Sequence, residues 1–255
     1  MALKRYQLPA FTDNYIYLLE DSTTGEFAVV DPGEATPVLH FLKSQNKSLN
    51  KILITHHHHD HIGGIQKLKA SFSCSVVAPF YDQQRILLVD QWVKEGDEVV
   101  FGHSVAKTLF LPGHTRGHIA YYFENEKMLF SGDVLFSMGC GRLFEGTAVQ
   151  AFNSLQKIKS LPETTEICCT HEYTKANAVF ALTVEPKNKK LQDRCSEVEN
   201  LRAHEQATVP VLLKTEIQTN PFLRWDSPEI RENLNLQAAS DLEIFTELRL
   251  RKDHF

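Results

Sequence analysis

The sequence predicts an α/β protein in which a sheet with flanking helices fills the first two thirds of the chain and a smaller helical domain follows. Two observations lead there. Short apolar runs ending in turn residues interleave with helical patterns up to about Pro162, and beyond it the chain becomes polar and helix-favouring. The expected domains are 1–165 and 166–255. At 255 residues the chain is long enough for a substantial core with an appendage.

Taken in order, Phe27-Ala28-Val29-Val30 reads as a strand stopped by the turn residues Asp31-Pro32-Gly33. Thr36 to Gln45 places Val38, Leu39 and Leu42 on one helical face. Lys51 to Thr55 is a strand that runs directly into histidines, and Ile62, Ile65 and Leu68 give a helical stripe just after them. Further strands are expected at Ser75 to Ala78, Glu98 to Phe101, Thr108 to Leu111, Ile119 to Phe123, Met128 to Ser131 and Glu166 to Thr170. The helical domain is expected around Lys175 to Ala207 and Pro228 to Arg251.

Composition narrows the class. Hydrophobic residues at 42% and charged residues at 23% fit an ordinary globular protein and exclude a disordered chain. A net charge of −5 argues against a broad nucleic-acid surface, so a small-molecule partner is expected. Five cysteines without a C-x-x-C pair do not make a disulfide framework and fit a reducing cytoplasm. The opening Met1-Ala2-Leu3-Lys4-Arg5-Tyr6 leads into no apolar h-region, and no apolar window is long enough to span a bilayer. A monomer is expected, although no interface signature in the sequence bears on oligomeric state.

The chemistry lies in Thr55-His56-His57-His58-His59-Asp60-His61. A terminal histidine run reads as a tag. This one is internal, follows an apolar strand and precedes Gly63-Gly64 and a patterned helix. His56 and His58, two apart, leave one face of an extended segment together, while Asp60 and His61 follow in the turn and can face another ion. Beyond other apolar strands lie Pro112-Gly113-His114-Thr115-Arg116-Gly117-His118, Ser131-Gly132-Asp133 and Thr170-His171-Glu172-Tyr173. Imidazole and carboxylate converging from strand ends suit a borderline divalent metal, with zinc first and iron or manganese possible by ligand chemistry.

The series T-H-x-H-x-D-H, P-G-H-T-x-G-H, G-D and T-H-E-Y resembles the metallo-β-lactamase superfamily and, within it, the glyoxalase II or hydroxyacylglutathione hydrolase family. The resemblance implies an αββα sandwich followed by a helical domain that contributes His171. It implies one metal on His56, His58 and His114, a second on Asp60, His61 and His171, and Asp133 bridging them. Asp60 and Asp133 are accordingly the expected catalytic carboxylates, while His57 and His59 fall outside the ligand pattern. Two ions about 3.5–4 Å apart would hold a hydroxide ready near neutral pH. A thiolate leaving group, with a conjugate-acid pKa near about 8.5, needs little help from a general acid.

A metal pair alone does not select a thioester over a lactam, lactone or phosphodiester. The resemblance supplies the choice: S-(2-hydroxyacyl)glutathione, chiefly S-D-lactoylglutathione, hydrolysed to glutathione and D-lactate in the second step of methylglyoxal detoxification. It implies that Arg142, Tyr173, Arg249 and Lys252 recognise glutathione, whose two carboxylates suit charge-assisted hydrogen bonds. Some relatives have Lys at the position of Arg142 and Tyr at that of Phe144, so one hydroxyl contact is absent here. Other superfamily activities, such as a lactonase, a β-lactamase or a persulfide dioxygenase, and a metal-storage protein are the competing readings.

Overall fold

The computed structural model describes residues 3–255, which divide into two compact units: 3–110 with 116–132, and 111–115 with 133–255. In the first unit, β1 (Leu3–Ala10), β2 (Asn14–Asp21), β3 (Phe27–Val30), β4 (Lys51–Leu53), β5 (Ser75–Pro79) and β6 (Gln91–Val93) form one sheet in that order. β1 to β3 pair antiparallel and β3 to β6 parallel. Parallel strands need crossovers, and α1 (Thr36–Ser44) supplies one between β3 and β4. α2 (His59–Ile62) and α3 (Ile65–Ser71) supply the next. β7 (Glu98–Phe101), β8 (Ser104–Phe110), β9 (Ile119–Phe123) and β10 (Met128–Gly132) form an antiparallel run.

The sheet is covered on both faces, which is why β3 is apolar at every position rather than alternating. On one side Leu18, Val29 and Ile52 pack with Val38, Leu42 and Leu68 of the helices. On the other, Tyr17 meets the Phe130 ring edge-on at 5.5 Å, and buried Tyr121 donates its hydroxyl to the carbonyl of Ile54 at 3.0 Å. Burial drives the Tyr121 phenol well above its usual range. β1 and β2 escaped the sequence reading. β1 carries Lys4 and Arg5 at the sheet edge and has only its two ends buried, so it lacks the apolar run that marks an inner strand.

The second unit holds the short hairpin β11 (Leu135–Phe136) and β12 (Gly139–Cys140), the pair β13 (Glu166–Cys169) and β14 (Val211–Leu212), and most of the helices. These are α4 (Ala148–Lys159), α5 (Thr174–Val184), α6 (Lys189–Ala203), α7 (Leu213–Thr219), α8 (Pro228–Leu234) and α9 (Asp241–Asp253). The expected helical stretch from Lys175 divides at Glu185-Pro186, and Asn188 restarts it by capping the Leu191 N–H. The stretch from Pro228 divides at Asn235, which takes a left-handed conformation with φ 60°. Ser240 and Glu243 then close a capping box on α9. α4 was not expected from sequence, although Thr147 and Gln150 form a capping box at its start. Among the described residues, no helix is long and apolar enough to cross a membrane.

Candidate metal centre

In the first unit the histidine run leaves the end of β4, and the chain turns into α2 after His58. His56 and His61 are fully buried, with ring centroids 4.0 Å apart, and the His58 ring lies 4.7 Å from His56. Each buried imidazole has its Nδ1 occupied. His56 Nδ1 lies 3.0 Å from Thr55 Oγ1, and His61 Nδ1 lies 3.0 Å from Asp31 Oδ2. Nε2 is therefore the ligand atom on both rings, the tautomer being set by the partner of the other nitrogen. His61 Nε2 stands 3.6 Å from Asp60 Oδ2, and that oxygen accepts a hydrogen bond from Asn14 Nδ2 at 3.1 Å.

In sequence Asp31 carries only the signature of a turn residue. Its Oδ1 accepts from the Thr55 main-chain N–H at 2.8 Å, and its Oδ2 accepts from Thr55 Oγ1 at 2.7 Å and faces His61. Asp31, His56 and His61 offer ligand atoms within 4.8 Å of one another, but the Asp31 oxygens are committed to these hydrogen bonds. We therefore read Asp31 as the group that orients His61. Its signal in the sequence was position: like Asp133, it lies just after a strand. His57 turns away, with Nδ1 3.3 Å from Asp82 Oδ2 and Nε2 3.2 Å from Arg85 Nη1, and His59 is exposed beside Arg85.

In the second unit His114 and His171 converge on one carboxylate. His114 Nε2 lies 3.4 Å and His171 Nε2 3.5 Å from Asp133 Oδ2, and all three residues are buried. Two ligand atoms that share a tetrahedral ion at about 2.1 Å are separated by about 3.4 Å, so the donor set has the spacing a divalent metal needs. His114 Nδ1 donates to the carbonyl of Arg142 at 2.8 Å, which leaves Nε2 as the ligand nitrogen. The His171 ring stacks on Tyr173 at 4.6 Å with planes 5° apart. Gly141 has no room for a side chain, since a Cβ there would stand 1.9 Å from the carbonyl oxygen of Asp133.

The four residues expected to recognise glutathione all lie in this second unit. Arg142 is exposed, with Nε 3.4 Å from Asp253 Oδ1. Arg249 is buried, donating Nη1 to the carbonyl of Cys140 at 2.9 Å and Nη2 to the same Asp253 oxygen at 2.8 Å. Asp253 thus ties Arg142 to Arg249, which lies one helical turn before it. Lys252 Nζ reaches the carbonyl of Ala176 at 3.3 Å, and partial burial, followed by the charge of Arg249, lowers its pKa. Tyr173 is partly exposed, and Phe144 sets its ring 5.3 Å from that of His114.

Comparison with known proteins agrees with the motifs. Residues 10–171 match the metallo-beta-lactamase superfamily model, and residues 172–255 match that of the hydroxyacylglutathione hydrolase C-terminus. The chain is 48% identical to a hydroxyacylglutathione hydrolase of Methylococcus capsulatus, covering 99% of each chain. It is 47% identical to one of Bartonella tribocorum over 95% of this chain and 96% of that one. Among solved structures, BLEG-1 B3 metallo-beta-lactamase superposes with a TM-score of 0.67 at 24% identity, covering 86% of this chain and 99% of the other, which establishes the fold. A metallo-β-lactamase domain followed by a helical C-terminal domain, with His and Asp clusters suited to divalent metals, places this chain in the hydroxyacylglutathione hydrolase family.

Proposed function

We propose that the protein hydrolyses S-D-lactoylglutathione and related S-(2-hydroxyacyl)glutathione thioesters to glutathione and the hydroxy acid, as the second step of methylglyoxal detoxification. The observation that carries this reading is the helical C-terminal region. It matches the hydroxyacylglutathione hydrolase model over 172–255 and holds Tyr173, Arg249 and Lys252. A metallo-β-lactamase domain by itself would leave lactams and lactones open.

In this reading His56, His58 and His114 would hold one divalent ion and Asp60, His61 and His171 a second, zinc by donor chemistry, with Asp133 available to both. The assignment rests on the motif order and on the orientation of each ring within its own unit. Such ions would supply a water ionised near neutral pH and charge stabilisation at the carbonyl oxygen. The chain's own residues do the rest. Thr55, Asp31 and the carbonyl of Arg142 fix which nitrogen His56, His61 and His114 present. Arg142 and Lys252 attract the glutathione carboxylates, Tyr173 offers a hydroxyl beside His171, and buried Arg249 adds charge while bracing the hairpin at Cys140. The catalytic part spans 1–165 and the substrate-binding part 166–255, acting as a monomer in the cytoplasm.

The test is thiol release from S-D-lactoylglutathione by metal-loaded protein, alongside a β-lactam and a glutathione persulfide with an oxygen electrode. The expected result is rapid thioester cleavage without oxygen uptake. Oxygen consumption on the persulfide, with no cleavage of the thioester, would overturn the reading in favour of a dioxygenase.

A further inference from the structure

The hairpin β11–β12 joins two parts of the candidate centre. Asp133 lies two residues before it, and Arg142, whose carbonyl orients His114, lies two residues after it. Strands of two residues do not hold themselves together. Met138, at the turn, is also left-handed with φ 54°, a conformation unfavourable for a residue with a side chain. The hairpin must be fixed from outside.

Side chains do this. Fully buried Glu216 of α7 accepts from Ser137 Oγ at 2.8 Å through Oε1, and from the Met138 N–H at 2.8 Å and Asn220 Nδ2 at 2.9 Å through Oε2. Asn220 Nδ2 also donates to the carbonyls of Phe136 and Gly139, both at 3.0 Å. Asn177 Nδ2 donates to the carbonyl of Ser137 at 3.1 Å and lies where a Cβ on Gly139 would sit, 2.4 Å away. Three buried polar residues, all distant from the hairpin in sequence, thus bind main-chain groups of 136–139. On the near side the Gly141 N–H donates to the carbonyl of Val134 at 3.2 Å, closing the base of the hairpin beside Asp133.

We propose that Glu216, acting with Asn220 and Asn177, is a positioning residue of the metal centre: it fixes the hairpin so that the Asp133 carboxylate and His114 Nε2 face each other at ligand spacing. The inference rests on the reading of His114 and Asp133 as ligands. Glu216 need not be ionised for this, and burial raises its pKa against the pull of its donors. A glutamine there can turn its carbonyl oxygen to Met138 and Asn220 and donate its NH2 to the Ser137 hydroxyl, which can reverse. A methionine cannot accept from any of them well.

The experiment measures zinc retention by the full-length protein against a competing chelator, together with the rise in Tm on zinc loading. Glu216→Met should release zinc about tenfold more readily than wild type and show a smaller zinc-induced rise in Tm. Glu216→Gln should restore retention to within about threefold of wild type. Ser137→Ala, a milder change, should shift retention in the same direction and decides the matter if Glu216→Met does not fold. A scaffold role alone would lower the Tm of the zinc-free protein and leave retention unchanged. Wild-type retention in folded Glu216→Met, or in Ser137→Ala where Glu216→Met does not fold, overturns the proposal. These measurements need no thioester, so a failure of the substrate reading would be seen separately, in a zinc-loaded protein that releases no thiol.

Discussion

Replacing Asp31 with Asn exchanges one buried oxygen for an NH2 group at the point where His61 takes its tautomer. Oδ1 accepts from the Thr55 main-chain N–H at 2.8 Å, while Oδ2 accepts from Thr55 Oγ1 at 2.7 Å and lies 3.0 Å from His61 Nδ1. A main-chain donor cannot reverse, so the amide must keep its oxygen toward Thr55 N–H. Its NH2 then faces His61 Nδ1, which has to become an acceptor, and the ring proton moves to Nε2. That is the nitrogen 3.6 Å from Asp60 Oδ2, and once protonated it has no lone pair for a cation. Losing such an orienting partner typically lowers metal affinity about 10–100-fold, or about 1.4–2.8 kcal/mol. The assay is elemental analysis of wild type and Asp31→Asn after dialysis against graded chelator. One ion should leave the variant at concentrations that keep the wild type loaded, with thioester turnover falling in step. Equal retention of both ions would refute the tautomer argument.

Three further outcomes are expected. The Asp21 carboxylate accepts the N–H groups of His103, Thr24 and Thr23, which hold its pKa at about 2, below the ordinary 3.8. Its contribution to stability is therefore present above about 3.8 and lost as pH falls toward about 2, so the Tm gap between wild type and Asp21→Asn should narrow across that window in acid melts. Arg142→Ala removes an exposed cation and should raise KM for the thioester about fivefold at nearly constant kcat, the effect of one contact of about 1 kcal/mol; an unchanged KM would take Arg142 out of the binding site. Gly132→Ala should lower stability in denaturant titration by at least roughly 1–2 kcal/mol from its left-handed backbone alone. Gly132 has φ 50°, and a Cβ there would stand 2.5 Å from Thr55 Oγ1.

What could be read from the sequence follows from how local each signal is. The histidine run, Asp133 and His171 follow apolar strands, so strand pattern and residue chemistry together marked them, and β3, β5, β7 and β9 lie within a residue of expectation. β1 stayed hidden because its pairing with β2, in register from Leu3 with Asp21 to Ala10 with Asn14, stabilises a strand whose own pattern is weak. Asp31 looked like a turn because Asp-Pro-Gly is a turn sequence, and its second role exists only once β4 brings Thr55 and His61 to it. Glu216 carried no signal, since its hairpin partners lie about eighty residues away. Arg249 and Asp253 are one helical turn apart and could have been paired by spacing, but the bond from Arg249 to the Cys140 carbonyl could not.

This ligand set is expected to hold two divalent ions with which the protein hydrolyses a glutathione thioester. The most direct test returns zinc in steps to metal-free protein and measures bound metal and S-D-lactoylglutathione cleavage on the same samples. Thiol release should be absent at zero metal and rise with occupancy, with binding saturating at two ions per chain. Two bound ions with no thiol release, or full cleavage in the metal-free sample, would contradict it.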